Sequence, residues 1–144
     1  MVRLRRQLLA ALALLLATSA AHGDADGVVL VAHPEVTTQA LTRDTTRAIF
    51  AMRQRTWPDG QAVRVFVLAN EHEDHVRFAK ERLAVFPHQL QLSWDRLVFS
   101  GTGQAPTRVS SPTDMLERVA TTPGGLGYLA REHLDERVQV ITME

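Results

Sequence analysis

A short stretch of histidines and carboxylates, Asn70–His75 (NEHEDH), holds the densest reactive chemistry in the chain. His72 and His75 are three residues apart, so on a helix they share one face and could bind zinc or copper with a neighbouring carboxylate. The alternative is an exposed, polar first turn in which Asn70 is the N-cap and Glu73 its capping-box partner. Two histidines at this spacing are a weak metal signal. We therefore predict no metal and no cofactor, and keep a weak metal-binding module as an alternative.

A second stretch, Ser100-Gly101-Thr102-Gly103, combines backbone N–H groups with two hydroxyls. Such a loop can form a nest that binds an anion. The alternative is a helix C-cap followed by a turn, because glycine is the usual residue there. No lysine follows the stretch and no strand precedes it, so it is not a P-loop. Arg64 and Arg108 are the nearest cations in the sequence that could assist an oxyanion.

These two stretches supply candidate solute-binding residues, whereas no motif indicates catalysis. The candidates are Asn70, Glu71, His72, Ser100, Gly101 and Thr102. The sequence has no cysteine nucleophile, no Gly-x-Ser-x-Gly elbow and no His-Glu-x-x-His motif. Isolated serine, histidine and aspartate residues are present, but sequence alone does not bring them together. We therefore predict that the protein is not an enzyme.

The first candidate stretch lies inside Val63–Leu83, which has the pattern of a strand running into a helix. β-Branched residues dominate its first half, and apolar residues recur at helical spacing in its second half. In open α/β proteins, ligands bind beyond the carboxyl ends of strands, where helices begin. This junction is therefore the first place to expect a small-molecule site.

The rest of the chain alternates between strand and helix patterns. The other predicted strands are Val28–Ala32, Leu126–Leu129 and Val138–Ile141, and the other predicted helices begin at Arg43, Pro87 and Pro112. One helix carries a stripe toward the core made of Leu90, Trp94, Leu97 and Val98. Ser111-Pro112-Thr113-Asp114 is a capping box with proline at the first helical position. This order predicts an α/β domain with a sheet covered by helices.

Residues 1–23 have the features of a secretory signal peptide. Three arginines precede the apolar run Leu8–Ala17, and Ala21-His22-Gly23 offers small residues for cleavage. The alternative is a membrane anchor, but the run is shorter than the roughly 20 residues that span a bilayer. We predict cleavage near Gly23, a periplasmic or secreted location, and one domain over residues 24–144.

The predicted mature part is close to neutral and has no cysteine. Of the 16 basic and 16 acidic side chains, three arginines lie in the leader, which leaves 13 basic residues and a net charge of −3. This balance gives no indication of nucleic-acid binding. Without cysteine, an exported protein has no disulfide, so its stability must come from its hydrophobic core.

Two further segments resemble one protein family. Leu41–Gly60 (LTRDTTRAIFAMRQRTWPDG) resembles the segment of type 2 periplasmic solute-binding proteins in which a short helix ends in Ile-Phe and a tryptophan precedes a turn. Thr122–Tyr128 (TPGGLGY) resembles the Pro-Gly-Ala-Ile-Gly-Tyr segment of the phosphate-binding proteins of phosphate ABC importers. Val63–Leu83 occupies the place of their phosphate-gripping strand and helix.

The resemblance implies a single-lobe type 2 periplasmic-binding-protein-like domain, with a mixed sheet flanked by helices. It implies an exported, non-enzymatic solute-binding protein whose ligand is a small anion such as phosphate and whose partner is a membrane transporter. The family has two lobes that close on the ligand, and the predicted mature chain has the length of about one.

The predicted site departs from the pattern of that family. The family grips phosphate with an arginine and an Asp-Gly-Ser-Gly-Thr run, whereas Leu68–Asp74 contains no Arg, Ser, Gly or Thr. Glu71, Glu73 and Asp74 instead place carboxylates at the helix start, where they would repel a phosphate dianion. The alternative function is an adaptor that has lost solute binding and contacts another protein chain, or a second copy as a homodimer, through a sheet edge or cleft face.

Overall fold

The structure is a computed structural model and describes residues 27–144, so the predicted signal peptide lies outside the described residues. The strands are β1 (Val28–Ala32), β2 (Ala40–Leu41), β3 (Arg64–Val67), β4 (Thr107–Arg108), β5 (Gly125–Ala130) and β6 (Gln139–Met143). The helices are α1 (Arg43–Phe50), α2 (Glu73–Arg77), α3 (Pro87–Ser100) and α4 (Pro112–Thr121), with a π-helical turn at Phe78–Arg82 and a 3-10 turn at Arg131–His133. No helix within this range is long and apolar enough to cross a membrane.

The six strands form one mixed sheet in the order β2-β6-β1-β5-β3-β4. β1 is antiparallel to both of its neighbours, β5 and β6, while every other pairing is parallel. All residues of β1 and β5 are buried. A strand covered on both faces needs apolar side chains throughout, which explains the nearly continuous apolar run of β1. The predicted α/β architecture with a mixed sheet flanked by helices is confirmed.

Three helix starts follow the local sequence signals. Thr42 is the N-cap of α1, and its hydroxyl accepts a hydrogen bond from the Thr45 N–H at 3.1 Å. Ser111 is the N-cap of α4, and its hydroxyl accepts one from the Asp114 N–H at 3.0 Å. Pro87 is the first residue of α3, where its missing N–H leaves no helical hydrogen bond unmade. The predictions for these three helix starts are confirmed. The reciprocal half of the predicted capping box is wrong, because the Asp114 carboxylate accepts from the Ser110 N–H at 2.9 Å.

The start of α2 differs from the prediction. The helix begins at Glu73, and its N-cap is His72, whose Nδ1 accepts a hydrogen bond from the Asp74 N–H at 3.1 Å. Asn70 was predicted as the N-cap, but its amide nitrogen donates to the side chain of Gln91 at 2.9 Å. The predicted capping box is therefore wrong, because a distant side chain competes for Asn70. The helix continues as the π-helical turn rather than as an unbroken α-helix.

Other differences are confined to short strands and to one side chain of α3. The two-residue strands β2 and β4 have no sequence signal of their own and were not predicted. In α3, Leu90 and Trp94 are buried as expected, but Val98 is 51% exposed. Leu97 is half-buried and takes the inward position of that turn, which directs Val98 to solvent.

Both tryptophans belong to the core and anchor distant backbone segments. Trp57 is 2% exposed, and its indole N–H donates to the Gly124 carbonyl at 3.1 Å. Trp94 is 1% exposed and donates to the Phe50 carbonyl at 2.8 Å. A buried indole requires such a partner, so each ring both fills the core and fixes a loop or helix end. Core packing, predicted for Trp94, is confirmed.

Candidate functional site

The carboxyl ends of five strands lie at one edge of the sheet, because all strands except β1 run in the same direction. At this edge β2 leads into α1, β3 into α2 and β4 into α4. Helix N-termini that meet at the carboxyl edge of a sheet form the usual location of a ligand site in open α/β folds. The predicted junction after β3 therefore lies where a solute would be expected.

Three polar side chains link the ends of β3 and β4 at this edge. Asn70 follows β3, and its amide nitrogen donates to Oε1 of Gln91 in α3 at 2.9 Å. Arg108, the last residue of β4, donates to the same oxygen at 3.2 Å. The amide nitrogen of Gln91 in turn donates to Asp95 at 2.9 Å. Gln91 thus joins the two strand ends through a single side chain, and we name this group the Asn70–Gln91–Arg108 chain.

The charges around this chain are mixed. The groove beside Asn70 is also lined by the carboxylates of Glu71 and Asp95. Arg108 supplies an exposed cation on the other side of Gln91. A small anion would therefore meet one attractive charge and two repulsive ones at this edge. The geometry disfavours a doubly charged ligand relative to a singly charged one.

A buried histidine lies behind the groove and contacts a tyrosine of the central sheet. His75 is fully buried, and its Nδ1 is hydrogen-bonded to the hydroxyl of Tyr128. The same hydroxyl accepts a hydrogen bond from the Leu68 N–H at 2.8 Å, at the end of β3. A tyrosine oxygen that accepts from Leu68 can donate its own hydrogen to Nδ1, which places the imidazole hydrogen on Nε2.

The ionisation of both groups is set by burial. Desolvation lowers the pKa of His75 to about 4, helped by the positive charges of Arg108 and His72 and opposed by Glu71. Desolvation also raises the pKa of Tyr128 far above its ordinary value. Both groups are consequently neutral at pH 7, and the hydrogen bond between them joins two uncharged side chains.

Two buried polar atoms near this edge make no hydrogen bond within the described part of the chain. They are Oδ1 of Asn70, an acceptor, and Nε2 of His75. A buried polar atom without a hydrogen-bond partner destabilises the folded state by about 1–3 kcal/mol. Such atoms mark places where a small polar molecule could be held.

The two histidines of the candidate metal site do not converge. Nδ1 of His72 accepts a hydrogen bond from the Asp74 N–H, and Nδ1 of His75 is hydrogen-bonded to the Tyr128 hydroxyl. Across residues 27–144, no group of three or more His, Cys, Asp or Glu side chains is arranged to hold a metal ion. The arrangement therefore gives no support to the metal-binding alternative.

The second candidate stretch closes a helix. Gly101 is the C-cap of α3 with a left-handed φ of 71°. The N–H groups of Gly101, Thr102 and Gly103 donate to the carbonyls of Val98 and Leu97 at 3.0–3.2 Å. The Ser100 and Thr102 hydroxyls bond to each other at 2.7 Å. The N–H groups needed for an anion nest are thus used by the helix cap, which was the alternative interpretation.

The six sequence-predicted residues therefore fall into two separate groups. Asn70, Glu71 and His72 lie at the start of α2, and the first two line a groove together with Gln91. Ser100 is nine residues beyond Gln91 on the same helix, about 13 Å along its axis. Sequence reasoning missed Gln91 because nothing in the polar pattern of α3 distinguishes it. It also missed the role of Tyr128, whose segment was noted only for its resemblance.

Comparison with known proteins supports a fold assignment. No protein-family model matches the chain, and no match was found among curated proteins. Among solved structures, an ABC-type phosphate transport receptor from Vibrio cholerae matches with a TM-score of 0.58 and 16% identity, and PstS from Borrelia burgdorferi with 0.59 and 12%. A substrate-binding protein assigned to a phosphate ABC transporter of Clostridium perfringens, solved with bound phosphate, matches with 0.63 and 15%.

The matches cover most of this chain but less than half of each solved structure. They include 82–83% of this chain and 45–47% of the others. At such low identity the similarity establishes the fold alone. A match of this extent fits one lobe of a two-lobed binding protein. The chain therefore has the fold of a single lobe of the type 2 periplasmic solute-binding proteins, and it resembles those of phosphate ABC importers.

Proposed function

We propose that this chain is an exported, non-enzymatic solute-binding protein whose ligand is a small, singly charged oxyanion such as monobasic phosphate. The observation that carries the proposal is the Asn70–Gln91–Arg108 chain at the carboxyl edge of the sheet. This edge is where the fold holds ligands, and Arg108 supplies a guanidinium suited to an oxyanion. The similarity to phosphate-transport proteins supports the same class of ligand.

The neighbouring groups favour a protonated oxyanion. The buried Oδ1 of Asn70 needs a hydrogen-bond donor, which a P–O–H group can supply and a sulfate ion at neutral pH cannot. The carboxylates of Glu71 and Asp95 raise the energy of a dianion more than that of a monoanion. We therefore expect phosphate to bind more tightly at pH 6 than at pH 8, and more tightly than sulfate at both pH values.

Titration calorimetry of phosphate into the purified protein tests this proposal. We expect a dissociation constant of about 10–100 µM at pH 6, weakened roughly tenfold or more by Arg108→Gln or Asn70→Ala. Arg64→Gln is the matched control, because Arg64 is exposed and lies at the opposite end of β3. This control loses the same charge and should bind phosphate as the wild type does.

Two calorimetric results would contradict the proposal of an oxyanion site. An absence of heat at millimolar phosphate would end the oxyanion proposal. Equal weakening by Arg64→Gln and Arg108→Gln would show a general charge effect rather than a site at the carboxyl edge.

Export and the transporter partner belong to the same proposal, and the export part rests on the signal peptide predicted in residues 1–23. N-terminal sequencing of protein recovered from the periplasm or medium should begin near Asp24.

A second candidate function is an adaptor that has lost solute binding. Two observations favour it: the carboxylates Glu71 and Asp95 beside the groove, and large apolar side chains exposed on α3. Calorimetry separates the two functions, because an adaptor would bind neither phosphate nor sulfate. The adaptor would instead associate with another protein chain.

A further inference from the structure

A second groove runs beside the beginning of β3. One wall is formed by residues 62–66, and another by residues 101–107, which follow α3. The volume of the groove is about 1000 Å³. Neither Asn70 nor Gln91 lines it, because Asn70 follows the other end of β3. The groove is therefore separate from the candidate solute site, and we name it the β3 groove.

The charged side chains that line the β3 groove are all arginines. They are Arg55, Arg64 and Arg118, and each is exposed. None of the three forms an ion pair within residues 27–144. Glu117, the carboxylate nearest in sequence to Arg118, pairs instead with Arg137 at 3.3 Å. The groove thus carries three positive charges without a neutralising carboxylate from the described part of the chain.

Uncharged groups hold two of these guanidinium groups in place. Nη2 of Arg55 donates to the Thr102 carbonyl at 2.7 Å. A Cβ added at Gly103 would overlap that nitrogen, so the glycine leaves the space that the guanidinium occupies. The guanidinium of Arg118 lies 5.5 Å from the centre of the Phe66 ring. These contacts restrict both side chains without cancelling their charge, which lowers the entropy cost of binding an anion.

The third arginine lies on the same side of β3 as Arg118. Side chains two residues apart in a strand point to the same face, so Arg64 shares the face of Phe66, which Arg118 covers. Residues 62–66 span about 13 Å as a strand, the length of about five residues of any extended chain. Alternate side chains of such a chain would face the same wall of the groove.

We propose that the β3 groove binds an acidic, extended segment of another protein, with carboxylates at alternate positions contacting the arginines. Guanidinium groups bind carboxylates through paired, charge-assisted hydrogen bonds. The exposed side chains of Gln104 and Thr107, on the other wall, supply hydrogen-bonding groups for the backbone of the segment. The proposal does not depend on solute binding at the carboxyl edge.

Two other anionic ligands fit the groove less well. A single phosphate ion at any one of these exposed arginines would stay largely hydrated and would gain little binding energy. A single-stranded nucleic acid needs aromatic side chains on which bases stack, but Phe66 is only 4% exposed. An acidic chain, in contrast, can contact several of the cations at once.

Fluorescence anisotropy with a labelled peptide of four Glu-Thr repeats tests the proposal. At pH 7.5 and about 50 mM salt we expect a dissociation constant of about 100 µM. At about 300 mM salt the affinity should fall by roughly fivefold or more, because exposed ion pairs are screened. The matched peptide with four Gln-Thr repeats should not bind at protein concentrations up to about 1 mM.

Variants of the protein test the place of binding. Arg55→Gln and Arg118→Gln should each weaken binding of the acidic peptide by about fivefold. Gly103→Ala should weaken it by about threefold, because this variant keeps every charge but displaces the Arg55 guanidinium. Arg131→Gln is the matched control, since Arg131 is exposed beyond the opposite end of β5 and does not line the groove. Circular dichroism checks that each variant is folded.

Four outcomes would overturn the proposal. The acidic peptide may show no binding at about 1 mM protein, or the Gln-Thr peptide may bind equally well. Equal weakening by Arg118→Gln and Arg131→Gln would show a general charge effect. Displacement of the peptide by about 1 mM phosphate at constant ionic strength would show that the groove holds the inorganic ion instead. These outcomes are independent of the solute site, which Asn70→Ala and Arg108→Gln test separately.

Discussion

Replacing Gly124 with alanine is expected to lower the free energy of unfolding by about 3 kcal/mol or more. Gly124 has a left-handed φ of 76°, and an added Cβ would overlap the carbonyl oxygen of Ala62. Its own carbonyl accepts hydrogen bonds from the Arg64 N–H at 3.0 Å and from the Trp57 indole at 3.1 Å. Because the clash is with backbone and both bonds hold the segment in place, the strain cannot relax by a side-chain movement.

Gly60→Ala separates the clash from the backbone conformation. Gly60 also has a positive φ, 90°, but an added Cβ would meet nothing within 4 Å. Gly60→Ala should therefore lower the free energy of unfolding only by the cost of placing alanine in a left-handed conformation, about 1–2 kcal/mol. Urea unfolding followed by tryptophan fluorescence measures both variants. Equal destabilisation by the two substitutions would mean that the Ala62 contact contributes nothing.

Those parts of the fold that depend on neighbours in sequence could be predicted. The caps of α1 and α4 and the proline at the start of α3 are complete within four residues, so Thr42, Ser111 and Pro87 identify them. The alternation of strand and helix patterns gave the fold class, and the TPGGLGY segment indicated the family resemblance. Within that segment the backbone packs closely at Gly124, where an added Cβ would overlap the Ala62 carbonyl oxygen.

The rest depends on partners far away in sequence. β2 and β4 have two residues each and exist because they pair with β6 and β3, so no local pattern specifies them. Asn70 was assigned a capping role that its spacing to Glu73 allowed. In the folded chain its amide bonds to Gln91, 21 residues away, and the cap passes to His72. A competition between a local and a distant partner cannot be decided from spacing.

The candidate site shows the same limit. His72 and His75 look equivalent in sequence because they are both polar and three residues apart. The fold makes one a partly exposed cap and the other a fully buried partner of Tyr128, 53 residues away. Ser100 also lies far along α3 from Gln91, the hydrogen-bond partner of Asn70, so the two candidate stretches do not meet. Types of residue indicated chemistry at both places, but only the packing decides which groups can act together.

The buried His75 should make the protein unstable toward acid. Its pKa is about 4 in the folded chain and 6.5 when unperturbed, so the unfolded state binds the proton more readily between these values. Stability is therefore highest above pH 6.5 and falls as the pH decreases toward 4, by at most about 1.4 kcal/mol per pH unit from this residue. Urea unfolding at pH 7.5, 6, 5 and 4.5 measures the slope.

His75→Gln should remove most of that slope while keeping a hydrogen-bond acceptor for the Tyr128 hydroxyl. His88→Gln is the matched control, because His88 is exposed at the start of α3 and should leave the slope as in the wild type. If His75→Gln and the wild type lose stability equally between pH 6.5 and 4.5, His75 is not held neutral by the fold. The assignment of His75 and Tyr128 as a pair of uncharged side chains would then be wrong. If the slope disappears only in His75→Gln, any weakening of phosphate binding at pH 8 relative to pH 6 cannot come from His75.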